Sequence, residues 1–277
     1  MPFTVSHIAA ILPANRPLRR WGLLSAAMIG TMVPDFGFLF PGHLGRAQTH
    51  SALGLLKFCL PVGLVAWMLF QALVKPAWGA VLPDGWRMRL LAEHPSARLK
   101  TWRVWLYAAG AILAGAVTHL VWDGFTHEDG RGVRMLPFLE DTGPDIAGHA
   151  LPLYRWLQHS SSVLGLIVVL WAAWRWTHAT PVVSGHTTTP TGPTVALLPR
   201  RERIAWLAAY VLPPLCLLML AGAWQIHRHK GIAYLGRDVS QLAVLALGSS
   251  IATLLAVSAL IRVRMIALAR PRPRLDA

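Results

Sequence analysis

Histidine and aspartate recur at the ends of apolar stretches in this chain, a combination typical of metal sites. The clearest case is the segment THLVWDGFTH, in which His119, Asp123 and His127 follow one another at intervals of four residues. Four residues of α-helix advance about 6 Å and return to nearly the same face, so His119 and Asp123 can bind one cation together. His127 lies about 12 Å beyond His119 on a straight helix, and it needs a helix break, which Gly124 allows, or a second metal.

Two further candidates lie near other apolar segments. Asp35 follows a proline at the end of a short apolar stretch, and His50 precedes the first long one. If the outer ends of the first two spans lie at the same depth, His50 approaches His119, and Asp35 completes a shell of two histidines and two aspartates. The alternative is structural: Asp35 closes a helix-end turn, while His119 and Asp123 form a satisfied polar pair on a buried helix face.

Two more histidines are candidate ligands on weaker grounds. His7 lies at a predicted helix start, with Thr4 or Ser6 as the N-cap. His159 precedes three serines at the start of the third span. Each also fits an ordinary histidine at the membrane surface.

Composition identifies the elements that must position these residues. Of 277 residues, 55% are hydrophobic and 14% charged, and the mean hydropathy is +0.47, whereas a water-soluble domain carries about 25% charged residues. Five stretches approach the roughly 20 apolar residues that a membrane-crossing helix needs. They are residues 52–74, 104–126, 160–176, 204–224 and 239–261. The sequence therefore predicts an all-α integral membrane protein with about five transmembrane helices.

A sixth apolar segment, residues 21–33, is too short to span a bilayer as an ordinary helix. We interpret it as an N-terminal interfacial or re-entrant helical segment. Because Arg19 and Arg20 precede it, a late signal sequence or a short sixth span also fits.

The predicted organisation has three parts. Residues 1–176 form a membrane-embedded unit with the candidate metal site, residues 177–203 form a Thr/Pro/Gly-rich linker, and residues 204–277 form a transmembrane helix pair with a basic tail. The net charge of +14 arises largely from basic residues flanking the spans, which membrane orientation explains without a nucleic-acid partner. The bias of these residues predicts a cytoplasmic C-terminus in a multi-pass protein.

Several enzyme classes lack their signatures. The sequence contains no G-x-S-x-G, no H-E-x-x-H, no Walker loop and no G-x-G-x-x-G. Both cysteines, Cys59 and Cys216, lie within apolar runs, so neither a disulfide framework nor a cysteine-ligated zinc site is predicted.

The order of these motifs resembles a bacterial membrane-protein family known as domain of unknown function 4184. The resemblance rests on the opening PFTVSHIAA and on the sequence of motifs Pro34-Asp35, Thr49-His50, His119-x-x-x-Asp123 and Thr126-His127. It covers about residues 1–175 and, more loosely, the C-terminal helix pair. It implies location in the bacterial inner membrane and brings no established activity.

More remotely, the pattern is similar to inner-membrane metal-dependent hydrolases regulated by the SOS repressor and to the zinc-dependent phospholipase C group. That similarity implies metal ligands at His7, Asp35, His50, His119 and Asp123. It also implies a second-metal ligand at His127. The group has a further H-x-x-x-E pair, but here His149 is followed by Leu153 and His159 by Val163. One metal site is therefore complete in this chain, and the second is not.

The first functional hypothesis is a metal-dependent hydrolase that acts on a phosphoester of a lipid or envelope molecule near the outer leaflet. Zinc is the favoured divalent metal, because the candidate ligands are histidines and aspartates. Asp35 is the candidate catalytic residue, which orients a water molecule or takes its proton. The alternatives are a non-catalytic proton or ion relay in a transporter and a structural metal-binding helix bundle. The predicted partners are the lipid bilayer and a lipid or phosphoester substrate.

Overall fold

The chain is a helical protein with five potential membrane spans. A computed structural model describes residues 4–40, 44–92, 101–146, 149–178, 198–229 and 239–269. In chain order, spans one to five are Ala52–Val81, Trp102–Thr126, Leu153–His178, Arg200–Trp224 and Val244–Leu268. The predicted all-α architecture with five spans and a shorter apolar helix is confirmed.

The spans are longer than the apolar stretches that predicted them. Span one continues to Val81 through five consecutive segments. These are Ala52–Gly54, the π-helical Leu55–Cys59, Leu60–Leu69, the π-helical Phe70–Val74 and Lys75–Val81. Span three begins at Leu153. Its first two turns are helical but contain polar residues, so hydropathy alone did not mark them as part of the span. Spans four and five lie within the helices Arg200–His229 and Val239–Ala269.

The N-terminal segment contains short helices. In chain order they are the 3₁₀ helix Thr4–Ala14, the α-helices Asn15–Arg20 and Leu24–Met32, the 3₁₀ helix Val33–Leu39 and the α-helix Arg46–Thr49. Gly22, at a φ of 70°, turns the chain into the helix Leu24–Met32, a backbone conformation that favours glycine. Together Leu24–Leu39 form one short apolar helix, below the length of the five spans.

The connections carry the remaining elements. They are the helices Asp84–Ala92 and Arg131–Met135, the 3₁₀ helix Pro137–Glu140, and an antiparallel hairpin of the strands Thr142–Ile146 and His149–Pro152. The hairpin lies between spans two and three.

Residue contacts divide the chain into two compact units. The first comprises Met1–Met68 and Pro95–Thr180, and the second comprises Leu69–His94 and Pro181–Ala277. Most of the predicted linker, residues 179–197, and the basic tail from residue 270 lie outside the described residues. The three-part organisation inferred from the sequence stays a prediction.

The first unit is built around the short apolar helix and span two. Val33 from the short helix and Ala116 from span two share a buried cluster with Phe58 and Cys59 of span one. A second cluster of Val133, Leu139 and Tyr154 holds the connection between spans two and three.

In the second unit, the end of span one packs among the C-terminal helices. Ala77, Ala80 and Val81 share a buried cluster with Val257, Ile261 and other apolar residues. The Arg203 guanidinium donates to the carbonyl oxygens of Val81 and Leu82 at 3.0 and 2.9 Å, which satisfies carbonyls left open at a helix end.

Glycines let the short apolar helix lie against span two. A methyl group at Gly115 would overlap the carbonyl oxygen of Ala27, and one at Gly30 would overlap that of Ile112. The two helix backbones therefore approach as closely as small residues allow. This contact matters for the candidate site, because Asp35 lies on the short apolar helix and His119 lies on span two.

We expect Gly115→Val to separate these helices, whereas Gly110→Val is the matched control on span two, since nothing lies within 4 Å of a Cβ at Gly110. Overpacking of this kind costs about 1–3 kcal/mol. Thermal unfolding of the detergent-solubilised protein should show a lower midpoint for Gly115→Val only. Equal midpoints for the two variants would contradict the close packing.

Candidate metal centre

The structure brings five of the seven predicted ligands together in the first unit. His119 and Asp123 lie one turn apart near the end of span two, and each is 1% exposed. Asp35, from the 3₁₀ helix Val33–Leu39, is equally buried. His50 immediately precedes span one, and His7 comes from the N-terminal 3₁₀ helix.

Four side-chain atoms form a closed ring of nearly equal distances. The Nε2 atom of His119 lies 3.6 Å from Asp35 Oδ1 and 3.4 Å from Asp123 Oδ2. The Nε2 atom of His50 lies 3.6 Å from Asp35 Oδ1 and 3.5 Å from Asp123 Oδ2. Imidazoles and carboxylates therefore alternate around the ring.

These distances match the spacing of neighbouring ligands on a metal ion. Zinc binds histidine nitrogen and carboxylate oxygen at about 2.0–2.2 Å, and two neighbouring ligands of a tetrahedral ion are about 1.6 bond lengths apart, or roughly 3.3–3.6 Å. All four ring distances lie within or at the limit of this range. Each neighbouring histidine and aspartate in the ring is therefore placed to share a cation.

His7 extends the cluster on the other side of Asp123. Its Nε2 lies 3.7 Å from Asp123 Oδ1, and its ring stacks on the His119 ring with centroids 3.8 Å apart. The ligand atoms of His7, His119 and Asp123 all lie within 4.8 Å of one another, as do those of Asp35, His50 and His119. Asp123 thus presents one carboxylate oxygen to the ring and the other to His7.

The atoms that face the centre of this cluster have no hydrogen bonds within the described part of the chain. They are His7 Nε2, Asp35 Oδ1, His50 Nε2, His119 Nε2 and both carboxylate oxygens of Asp123. Buried polar atoms are nearly always paired, so such a concentration requires an explanation. These six atoms belong to two groups of three residues, His7 with His119 and Asp123, and Asp35 with His50 and His119, and each group could hold a cation. The donor set of histidines and aspartates fits zinc, manganese or iron.

Three of the ligands form a further contact on the side that faces away from the cluster. The Nδ1 of His119 lies 2.7 Å from the Thr31 carbonyl oxygen, so Nδ1 carries the proton and Nε2 offers its lone pair to the cluster. The Thr4 hydroxyl donates to Asp35 Oδ2 at 2.7 Å. Thr4 was predicted as a candidate helix cap, but the structure turns it to the aspartate.

His50 is held in a similar way from its own chain segment. Its Nδ1 lies 2.7 Å from the Thr49 hydroxyl, which leaves Nε2 facing the cluster. The buried Cys59 thiol donates to the Thr49 carbonyl oxygen at 3.4 Å and ties this segment to span one. Outer contacts of this type fix the ring orientation of metal-binding histidines.

Two of the ligands, His7 and Asp35, lie outside the spans, and their surroundings keep them in the protonation states that bind metal. Burial, followed by the neighbouring His119, lowers the pKa of His7 to about 4, so its imidazole is neutral at pH 7. Burial alone would raise the pKa of Asp35, but His50, His119 and the Thr4 hydroxyl outweigh it, and the pKa lies below its ordinary value. Asp35 is therefore ionised near neutrality.

Arg46 is a residue of the site that the sequence analysis missed. Its Nη1 lies 3.0 Å from Asp123 Oδ2, while its Nε lies 3.9 Å from the exposed Asp129. The Asp123 contact is an ion pair without hydrogen-bond geometry, because Oδ2 accepts no hydrogen bond within the described residues. The Arg46 side chain is 30% exposed, so it links the buried cluster to the surface. The sequence shows it only as one basic residue in a loop.

His127 lies beside the cluster with both ring nitrogens engaged. Span two continues through Gly124 and ends at Thr126, and the chain is extended at His127. His127 Nδ1 lies 3.1 Å from the Asp123 carbonyl oxygen, and Nε2 lies 3.4 Å from the Gln158 side-chain nitrogen. Burial, outweighing Asp123, lowers the pKa of His127, with Arg46 adding to the effect. Its role as a second-metal ligand stays a prediction.

The structure does not bring His159 to the cluster. Its side chain is exposed on span three, while Gln158, one position earlier, is buried and faces His127. Neither group of residues placed to hold a metal ion includes His159. A change of one position on a helix turns a side chain by about 100°, which explains why adjacent residues differ.

Fold and site together define a membrane-type helical protein with a buried histidine–aspartate cluster that can hold a metal ion. The sequence model of the family described as domain of unknown function (DUF4184) matches residues 1–260, and the chain belongs to this family. The match therefore extends across the C-terminal spans as well as the site. Comparison with curated proteins and with solved structures found no match.

We expect the purified protein to bind zinc stoichiometrically and His119→Ala to abolish binding, because His119 belongs to both ligand groups. His159→Ala is the control, since His159 lies outside these groups. The measurement is metal content by mass spectrometry after dialysis, with the unfolding midpoint recorded for each variant. Unchanged zinc in a folded His119→Ala protein would exclude this site.

The outer contacts give a finer prediction. Thr4→Val keeps the shape of the side chain but removes the hydroxyl that holds Asp35, and we expect metal affinity to fall about 10–100-fold. Thr177→Val is the control, because the Thr177 hydroxyl donates to the carbonyl oxygen of Trp174 and lies 2.9 Å from Nδ1 of the neighbouring His178, at the far end of span three. Competition titration with a zinc chelator should separate the two variants, and equal affinities would show that Thr4 does not tune the site.

Proposed function

We propose that this protein is a membrane-embedded, metal-dependent hydrolase that acts on a phosphoester of a lipid or envelope molecule. The main support is the ring of His50, Asp35, His119 and Asp123 atoms, in which neighbouring atoms have the spacing of ligands on a metal ion. A second support is the partly exposed Arg46 at its edge, since arginine is a common partner of phosphate groups.

The position of the cluster suits a substrate at the membrane surface. His50 lies two residues before span one, and Asp123 lies three residues before the end of span two. Ligands at span ends are placed where lipid headgroups meet water. Following the charge bias of the sequence, we place this end at the outer leaflet of the bacterial inner membrane, with the C-terminus in the cytoplasm.

Each residue has a part in the proposed reaction. His50, His119 and Asp123 hold the cation, and His7 supports Asp123 from the other side. When bound, a divalent cation supplies Lewis acidity and activates water near neutral pH. Asp35 presents Oδ1 to the cluster while Thr4 holds Oδ2, so its free oxygen can orient a water molecule and take its proton.

Arg46 is the proposed anion-binding group. It contacts Asp123 in the structure, and a phosphoryl oxygen can replace that carboxylate as its partner. A guanidinium presents a planar set of donors that matches phosphate geometry, which an ammonium group does not. The remote resemblance to metal-dependent hydrolases and to zinc-dependent phospholipase C supports the same reaction class.

One observation favours a second function, a structural metal clip. The five clustered residues come from separate segments: the N-terminal 3₁₀ helix, the short apolar helix, the segment before span one, and span two. A cation that joins such segments stabilises a fold whether or not it catalyses a reaction. A proton or ion relay uses the same residue types. Metal dependence distinguishes the hydrolase and the clip, which both need a bound metal, from the relay.

The hydrolase proposal predicts phosphodiesterase turnover that depends on metal and on Arg46. We expect a chelator to abolish hydrolysis of phospholipids in mixed micelles and zinc to restore it. Arg46→Met should lower kcat/KM by about 10²-fold or more, consistent with loss of one group that stabilises transition-state charge, and should leave zinc bound. Exposed Arg175, stacked near Trp171 on span three, provides the control Arg175→Met.

The outcomes separate the alternatives. Turnover that chelation stops without unfolding supports the enzyme. Unfolding on chelation, with no turnover of any phosphoester tested, supports the clip. Absence of bound transition metal from the wild-type protein would leave the relay.

A further inference from the structure

A cavity opens beside the cluster on the lipid-facing side of the first unit. It has a volume of about 560 Å³, within the roughly 300–1,000 Å³ of small-molecule sites. The N-terminal 3₁₀ helix, span two and span three form its walls. Its apolar lining includes Ala10, Val117, Val121, Leu164 and Val168.

One residue belongs to both the cavity and the cluster. His7 lines the cavity, and its Nε2 lies 3.7 Å from Asp123 Oδ1. The cavity therefore reaches the edge of the candidate metal centre at the His7 ring, whose buried Nε2 faces Asp123.

The lining is largely apolar, and its polar residues are Ser6, His7, Thr118, Trp122 and Ser161. Trp122 and Ser161 lie nearest the span ends, where Trp122 Nε1 donates to the Ser161 hydroxyl at 3.1 Å, and we call this the polar end of the cavity. Val117 lies five residues earlier on span two, and Val168 lies seven residues later on span three. At 1.5 Å per residue, these valines are about 8 and 10 Å deeper toward the middle of the spans. The groove thus runs from the membrane surface toward the hydrocarbon core.

Its open side faces the medium around the spans. Val121 is 57% exposed and Leu164 61%, although both are apolar. In a membrane this side contacts hydrocarbon chains, because water is absent at that depth. The groove exists partly because residue 165 is a glycine, whose Cβ would lie 2.9 Å from the Ser6 Cβ and carbonyl oxygen. Span three can therefore approach the N-terminal helix there.

We propose that this groove binds one hydrocarbon chain of a bilayer lipid and holds it so that the polar end of the lipid meets the cluster at His7. The occupant is a lipid chain because the walls are aliphatic, the open side lies within the bilayer, and the polar end coincides with the surface end. The substrate role of that lipid rests on the proposed hydrolase function, whereas chain binding does not.

The groove also defines a substrate class. A molecule that uses both parts has a phosphoester at the membrane surface and a hydrocarbon chain in the bilayer. A water-soluble phosphoester gains nothing from the groove, so it should be turned over less well than a lipid with the same phosphoester.

Val168→Trp tests the groove, because the larger side chain fills it from span three. Val163→Trp is the matched control on the same helix, since Val163 is 60% exposed and does not line the cavity. The full-length protein is reconstituted in phosphatidylglycerol–phosphatidylcholine vesicles containing a phospholipid with a diazirine on one acyl chain. After illumination, labelled peptides are mapped by mass spectrometry.

We expect labelling concentrated on the peptides that contain Val121 and Leu164. It should fall several-fold in Val168→Trp and stay at the wild-type level in Val163→Trp, with zinc content unchanged in both. Labelling spread evenly over all spans, or equal in the two variants, would overturn the proposal. Absence of labelling from these peptides while the other spans are labelled would also overturn it, because a second copy would then cover the groove.

His119→Ala separates this proposal from the hydrolase. Labelling that persists in a folded, metal-free His119→Ala protein supports the lipid-chain site independently of catalysis. If the labelling pattern holds but no phosphoester is hydrolysed by the wild-type protein, the groove stands and the enzyme proposal fails. Loss of the wild-type labelling pattern, with turnover retained, would reject the groove and leave the enzyme.

Discussion

The structure of the first unit depends on the enclosure of two carboxylates, Asp35 and Asp123, by imidazole rings. Both aspartates are almost completely buried, and an isolated buried charge is among the most costly features a protein can contain. The nitrogen and oxygen atoms that face into the cluster have no hydrogen bonds within the described residues, and the Arg46 guanidinium forms an ion pair with one oxygen of Asp123. Two ionised carboxylates carry a charge that one divalent cation balances, which is why we interpret the cluster as a metal centre.

This constraint explains features that otherwise look unrelated. The short apolar helix must lie close to span two so that Asp35 reaches His119, and Gly30 and Gly115 permit that approach. Three of the ligands, His119, Asp35 and His50, are oriented by a contact on the side that faces away from the cluster. The Thr31 carbonyl, the Thr4 hydroxyl and the Thr49 hydroxyl serve in this way. The cluster is thus an arrangement of segments as well as of ligands.

The two sides of the site differ. Arg46 extends from Asp123 toward the exposed Asp129, whereas His7 borders an apolar groove among the spans. A centre with a cationic group on one side and an apolar groove on the other suits an amphiphilic molecule better than a wholly water-soluble one. The chemistry we propose and the lipid site we infer depend on this difference between the two sides of the centre. No single sequence motif indicates it.

The amino-acid sequence by itself determined the spans and the ligand candidates, because hydropathy over about 20 residues and a four-residue helix spacing are local properties. Tertiary structure alone decided which candidates meet. Asp35 and His119 are far apart in the chain, and their contact depends on backbone approach. His127 and Gln158 pair, and His159 points outward, because each side chain's direction depends on its position around the helix. The contacts of Arg46 and Thr4 with the cluster also depend on tertiary structure. Their partners are distant in sequence, and no local sequence pattern predicts such contacts.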